Sequence, residues 1–250
     1  MLHNRLIPSL LLEGGRLVKG TKFQDRRDAG RPETTARAHN AQGADELLLL
    51  DVTASREGRE PDFETIALVA EECFMPLCVG GGVSSAETAM QCMNCGADKI
   101  FVNAAAMDRP ELINELAERF GSQAVMVGID VMEANGEAAL YDHRTGEVAP
   151  RGWKDWMREA ASLGAGEIRL MSVDREGTRQ SMNTDLLREA EALVDLPVIL
   201  EGGAGNVADI DRAMTEGATA VAVGTMLVFS DNNIIQIKRH LANHGHNMRH

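Results

Sequence analysis

No run of 18 apolar residues occurs in this chain, and its start, Met1-Leu-His-Asn-Arg, leads directly into a strand-like segment without a signal pattern. A soluble cytoplasmic protein that does not enter a membrane is therefore expected. Basic residues are also in deficit: 25 Lys and Arg face 38 Asp and Glu, a net charge of −13. That balance argues against a general nucleic-acid or anionic-membrane surface and leaves room only for a local anion site. Cysteine is limited to Cys73, Cys78, Cys92 and Cys95. Cys92-x-x-Cys95 lies within an apolar-periodic helical stretch with no histidine nearby, so buried thiols are expected there, not zinc or redox chemistry. His240, His244 and His246 crowd the tail and read as a solvated end; no metal and no cofactor is expected. Aromatic residues are few, whereas glycine is plentiful at 24. That combination suits tight strand-to-helix turns and small loops that approach a ligand closely.

What the chain does have is a repeat. Gly43-Ala44 and Glu46 return as Gly164-Ala165 and Glu167, a shift of 121 residues. The same shift carries Pro76 to Pro197, Gly81-Gly82 to Gly202-Gly203 and Gly96-Ala97 to Gly217-Ala218. Two homologous halves, about 1–122 and 123–250, are expected within one domain of 250 residues. Short apolar runs at 5–10, 47–51, 76–80, 99–103, 124–130, 167–172, 197–200 and 220–224 read as buried strands. Segments with helical spacing alternate with them at roughly 32–42, 62–73, 85–95, 109–119, 152–163, 184–193, 207–216 and 231–243. Continuous apolar strands need helices over their outer face, so this pattern predicts a closed (β/α)8 barrel of two (β/α)4 halves. An open doubly wound sheet is the alternative. The longest interruption, 131–150, reads as an excursion on the catalytic side.

A barrel places its ligand at the carboxyl ends of the strands. Gly81-Gly82 and Gly202-Gly203 occupy equivalent ends, and each is followed one strand later by a small polar end, Asn103 or Gly224-Thr225. Backbone N–H groups there suit phosphate, at both ends of a substrate or at one. Asp51, Asp130 and Asp174 also end apolar runs, where a carboxylate costs desolvation unless it is used or paired. Asp130 is the candidate general acid/base. Asp174 reads equally as a turn-former or a ligand-orienting group, and Lys19 as a phosphate partner or an exposed lysine. On the opposite rim, Arg5, Glu46, Lys99 and Glu167 stand near the starts of four strands. As residues alone, separate solvated strand starts account for them slightly better than a charged ring.

The stretches Arg5-Leu-Ile-Pro, Gly15-Arg-Leu-Val-Lys-Gly20, Asp51-Val-Thr-Ala-Ser-Arg-Glu-Gly58, Ser172-Val-Asp-Arg-Glu-Gly-Thr178 and Gly202-Gly-Ala-Gly-Asn206 carry a further signal. Together with Val79-Gly-Gly-Gly82 and Arg119-Phe-Gly-Ser-Gln123, the chain resembles the cyclase subunit family of imidazole glycerol phosphate synthase over its full length. The resemblance implies a barrel that takes ammonia from a glutaminase partner, in a heterodimer, and consumes it at the opposite end with a carboxamide bisphosphate. It implies an ammonia gate at Arg5, Glu46, Lys99 and Glu167, reversing the reading from residues alone, and a glutaminase contact at Asp98. It further implies a catalytic role for Asp130 and substrate or phosphate contacts at Lys19, Asp174, Gly177, Gly203 and Thr225.

Departures from the family pattern are as specific as the matches. Its second catalytic aspartate falls on Leu11, its first-half phosphate threonine on Ala104, and its small residue before Gly202-Gly203 on Glu201. Leucine exchanges no proton, and a carboxylate beside a phosphate nest is unfavourable unless countered. Leu11 and Cys73-Phe-Met-Pro76 are similar to a paralogous branch found with O-antigen genes, which supplies ammonia to amidinate an acetamido sugar. The resemblance therefore implies an ammonia-dependent synthase subunit acting on a changed phosphorylated or sugar substrate. The alternatives are a genuine cyclase of histidine biosynthesis and a non-catalytic glutaminase-docking partner.

Overall fold

Leu47-Leu48-Leu49-Leu50 is buried throughout, and its alternation explains the architecture. Leu47 and Leu49 join the large core shared with helix residues such as Ile66 and Leu116, whereas Leu48 and Leu50 join an interior cluster with Ile7, Cys78, Phe101 and Met126. A strand with apolar contacts on both faces belongs between helices and a filled barrel interior. In the computed structural model, whose described residues are 3–228 and 232–249, eight such strands do this. They are β1 (Arg5–Glu13), β2 (Leu47–Asp51), β3 (Leu77–Gly80), β4 (Lys99–Val102), β5 (Val125–Ala134), β6 (Glu167–Ser172), β7 (Val198–Glu201) and β8 (Ala220–Val223). Each pairs in parallel with the next, and β8 returns to β1 from Arg5↔Ala220 to Pro8↔Val223. The sheet is closed, as the alternating pattern predicts.

Eight main helices cover it: α1 (Pro32–Ala41), α2 (Phe63–Glu72), α3 (Ala86–Asn94), α4 (Glu111–Phe120), α5 (Trp153–Ser162), α6 (Thr184–Glu191), α7 (Val207–Thr215) and α8 (Ile234–Asn243). Several start where a short polar side chain accepts an otherwise orphaned N–H: Asp62, Ser85, Asn183, Asn206 and Asn233. The last expected helix began at residue 231, which lies outside the described residues. Among the described residues no helix is long and apolar enough to cross a membrane. All four cysteines are free. Of the pair expected to be buried, Cys92 is, whereas Cys95 at the helix end is half-buried; burial pushes the Cys92 thiol up to about 12 and Cys73 up to about 11, so both are protonated at neutral pH.

Two strands outrun their apolar runs. β1 turns at Gly14-Gly15 into an antiparallel strand, Arg16–Thr21, which pairs with Gln24–Gly30. β5 turns at Asn135-Gly136 into Glu137–Asp142, which pairs with Glu147–Val148. Both turns have positive φ at both central residues, the type I′ geometry whose twist matches a hairpin. The excursion expected at 131–150 is therefore an ordered ribbon, and Asn-Gly was its sequence signal. Short helices at Ala54–Glu57, Ala104–Asp108 and Thr225–Val228 escape periodicity because they are about one turn long.

His39, on the last turn of α1, is buried with neither ring nitrogen hydrogen-bonded. Burial, aided by the Lys19 charge, lowers its pKa from 6.5 to about 4. The unfolded imidazole therefore takes up its proton first as pH falls, so stability contributed by neutral His39 is complete above pH 6.5 and is lost progressively down to about 4. By pH 5 the loss should reach about 2 kcal/mol. Urea unfolding at pH 7.5 and 5 should show this drop in the wild type and a smaller one in His39→Leu; equal drops would refute it.

Candidate active site

Side chains alternate along β6, so Ile168 and Leu170 face the helices and Arg169 and Met171 face the barrel interior. A guanidinium there must be paired. Arg169 Nη1 donates to Asp130 Oδ1 on β5 at 3.0 Å, and Nε donates to Glu201 Oε2 on β7 at 2.6 Å. All three residues are at most 5 % exposed. The cation also lies 5.6 Å from the centre of the Phe101 ring. Glu201, expected to disturb a phosphate nest, is thus countered by a residue that sequence reading missed. Its signal was a single charge inside the apolar run Glu167-Ile-Arg-Leu-Met171.

Asp130 accepts from Asn103 Nδ2 at 2.8 Å, and His143 Nδ1 lies 3.7 Å from the same carboxylate. Burial alone would raise the Asp130 pKa, but His143, Arg169 and Asn103 outweigh it and hold the group below the ordinary carboxylate range. Asp130 is therefore a carboxylate at neutral pH, equipped to accept a proton. His143, also missed, is carried over the mouth by the β5 ribbon. Its carbonyl accepts from Arg56, while the neighbouring Arg144 is pinned between Asp108 and Asp142.

The main cleft brings together Leu11, Asp51, Gly81, Gly82, Asn103 and Asp130, with Arg26, Arg56 and His143 at its edge. Leu11 presents an alkyl group to this cleft. Asp51 reaches it, but its oxygens already accept from Arg59, Thr53 and Ala54. An adjoining recess gathers Gly177, Gly202, Gly203, Gly224 and Thr225, and Glu176 and Glu201 line both spaces. The glycine pairs match in conformation: Gly81 and Gly82 have φ of 90° and 81°, Gly202 and Gly203 of 101° and 94°. A Cβ on Gly81 would stand 2.0 Å from the Asp51 carbonyl oxygen, and one on Gly203 2.1 Å from that of Ser181. Only glycine fits either turn.

Charges of both signs line the mouth: Arg26, Arg56, Arg169, Asp51 and Asp130 border the cleft, and Glu176 and Glu201 border both it and the recess, where Arg175 packs against Gly203 and Glu201 is paired with Arg169. Lys19 is buried, not exposed, and donates to the Ser9 carbonyl at 2.9 Å beside Gly224, where a Cβ would meet its Nζ. Burial lowers the Lys19 pKa and raises that of Glu176. Asp174 lines neither space: its carboxylate accepts from the Glu133 N–H at 2.6 Å and ties the β5 ribbon down.

At the opposite end the four charges form a ring. Arg5 bridges Glu46 at 2.7 Å and Glu167 at 2.9 Å, and Lys99 bridges the same two carboxylates at 2.9 Å each. Separate solvated strand starts, the simpler expectation from residues alone, are thereby corrected. Parallel pairing in register aligns the starts of β1, β2, β4 and β6, and neither ion type could be buried there without the other. Burial raises the Glu46 pKa; burial would lower Lys99, but its two carboxylates overcome that and raise it. Asp98, beside the ring, is exposed and accepts from the Leu77 N–H at 2.8 Å.

Comparison with known proteins agrees with this geometry. A family model described as "Histidine biosynthesis protein" matches residues 5–233. The imidazole glycerol phosphate synthase subunit HisF of Chlorobaculum tepidum is 42 % identical over 250 residues, covering 100 % of each chain. Those of Hyphomonas neptunium and Streptomyces griseus are 42 % and 41 % identical, each covering 98 % of both chains. A closed barrel with this end-to-end likeness leaves one assignment: the chain belongs to the histidine biosynthesis protein family, and within it to the HisF-like proteins.

Proposed function

We propose that this chain is an ammonia-dependent synthase subunit that docks a glutaminase, HisH-like partner on its charged rim, as a heterodimer in the cytoplasm, and acts on a changed substrate at the opposite mouth. The barrel of residues 1–250 is read as one domain of two half-barrels, about 1–122 and 123–250. The observation carrying the changed substrate is Leu11, an alkyl group lining the same cleft as Asp130, together with the two carboxylates, Glu176 and Glu201, that border the glycine recess. A recess bordered by Glu176 and Glu201 suits a neutral polar group better than a second phosphate. An acetamido sugar amidinated for surface polysaccharide has that character. Asp130 accepts the proton, His143 stands 3.7 Å from its carboxylate, and Arg169 holds Asp130 ionised and in place. Asn103, Gly81 and Gly82 seat one end of the substrate, and Gly177, Gly203, Gly224 and Thr225 the other, with Lys19 beside Gly224. Ammonia admitted by the Arg5, Glu46, Lys99 and Glu167 ring enters an interior that holds Phe101, with Arg169 5.6 Å from its ring centre.

A second reading, the genuine cyclase, is favoured by the full-length identity of about 42 % to the HisF proteins. One assay separates the two: purified chain, excess ammonium and the ribulosyl aminoimidazole carboxamide bisphosphate. With Leu11 in place of an acid/base group, imidazole glycerol phosphate should form roughly 10²- to 10⁴-fold more slowly than a cyclase with turnover of about 1 per second. Turnover within about tenfold of that figure would establish the cyclase. Glutaminase activation without conversion of either the bisphosphate or an acetamido sugar nucleotide would leave a docking partner. Asp98→Ala should weaken a 1:1 complex with the glutaminase, read by calorimetry.

A further inference from the structure

Far from the mouth, the end of α8 meets the exposed face of α7. His240 and His244 are spaced i, i+4 and share one face of the helix end. Their rings lie with centroids 4.1 Å apart, tilted by 45°. His244 Nδ1 lies 2.9 Å from Asp211 Oδ2, and a donor atom from each of His240, His244 and Asp211 falls within 4.8 Å of the others. His246 Nε2 lies 2.7 Å from the other carboxylate oxygen, Oδ1. The tail histidines, expected to be a solvated end, are instead gathered around one carboxylate.

The convergence is built by the backbone. Gly245 has φ of 93°, its N–H donates to the Ala242 carbonyl, and the His246 N–H donates to that of Leu241. This is a Schellman stop, which reverses the chain so that His246 returns to the carboxylate already met by His244. Beyond it the tail runs back to the barrel, where the Asn4 N–H donates to the Asn247 carbonyl. His240 and His244 also stand at the C-terminus of α8, the end that favours a positive charge.

We propose that Asp211, His240 and His244 form a binding site for a divalent first-row transition ion, with zinc as the reference ion, and that His246 is the outer partner orienting the Asp211 carboxylate. Tetrahedral ligands at about 2.0–2.1 Å from zinc stand about 3.3 Å apart, close to the spacing already present between His244 and Asp211. Imidazole and carboxylate donors without thiolate select this class of ion over calcium or magnesium. A histidine on the second carboxylate oxygen is the outer-shell arrangement that fixes a ligating group. Binding clips the last helix and the tail to α7. The site is independent of the reaction at the mouth.

The test uses the full chain without a polyhistidine tag, stripped with chelator and titrated with zinc chloride by calorimetry. One ion per chain is expected, with a rise in Tm in excess zinc. His240→Ala should weaken binding more than about 10²-fold and abolish the Tm rise, whereas His246→Ala should weaken it only about 10- to 10²-fold. Cobalt on the unmodified chain should give the intense visible bands of a four-coordinate nitrogen and oxygen site without thiolate charge-transfer absorption. Absence of saturable binding, undiminished affinity in His240→Ala, or a thiolate band pointing to the cysteines would each overturn the proposal.

Discussion

Replacing Arg169 with leucine should cost about 3–5 kcal/mol and lower Tm by roughly 10 °C. The loss comes from what remains behind. Asp130 and Glu201 are each at most 5 % exposed, and Arg169 is the cation that bonds both. Without it, two carboxylates share a low-dielectric interior, and at least one must take up a proton. Asp130 keeps Asn103 and His143, so Glu201 is the group left stranded. Arg169→Leu combined with Glu201→Ser should therefore regain part of the loss, whereas Glu201→Ser alone still leaves Arg169 bonded to Asp130 and should cost less than either. Chemical denaturation of the four proteins at pH 7.5 measures the coupling. If Arg169→Leu costs under about 1 kcal/mol, the ion triad is not what holds the interior.

At the opposite rim, Lys99→Met should cost about 3–4 kcal/mol. Glu46 is 1 % exposed, and its Oε1 already lacks a partner, so loss of Lys99 leaves Arg5 to serve two buried carboxylates. Lys99→Met with Glu46→Met keeps the Arg5–Glu167 pair and should be more stable than Lys99→Met alone, since an apolar pair commonly replaces a buried ionic one without loss. On the function proposed above, the same variants should also change the coupling of glutamine hydrolysis to product formation, read as glutamine hydrolysed per product formed. A double variant as unstable as the single one would show that the ring acts through packing, not charge.

Much of the barrel is legible in the sequence because its strands are apolar on both faces, and each apolar run ends where the rim begins. Leu47 to Leu50, Val125 to Ile129 and Val198 to Leu200 need no partner to be read as buried strands. Asp130 was readable for the same reason: a carboxylate at the end of such a run must be used or paired. The hairpin at Asn135-Gly136 was also written locally, in a dipeptide that favours positive φ at both positions.

Pairing between distant charges was decided elsewhere. Nothing near Arg169 in the chain names Asp130, 39 residues before it, or Glu201, 32 residues after it; the register of β5, β6 and β7 sets them side by side. The rim ring likewise joins residues 5, 46, 99 and 167 only when the sheet closes. Asp174 shows the converse: its place in sequence reads equally as a turn-former or a ligand-orienting group, and in the fold one of its carboxylate oxygens accepts from the ribbon strand beside it. Local propensity and burial follow from residue type and spacing, and so the sequence alone determined the eight barrel strands, the main helices between them, their order and the rim where the strands end. A charge's partner depends on which strands become neighbours, so only the tertiary structure decided which carboxylates are ionised, which are occupied and which remain open to a substrate.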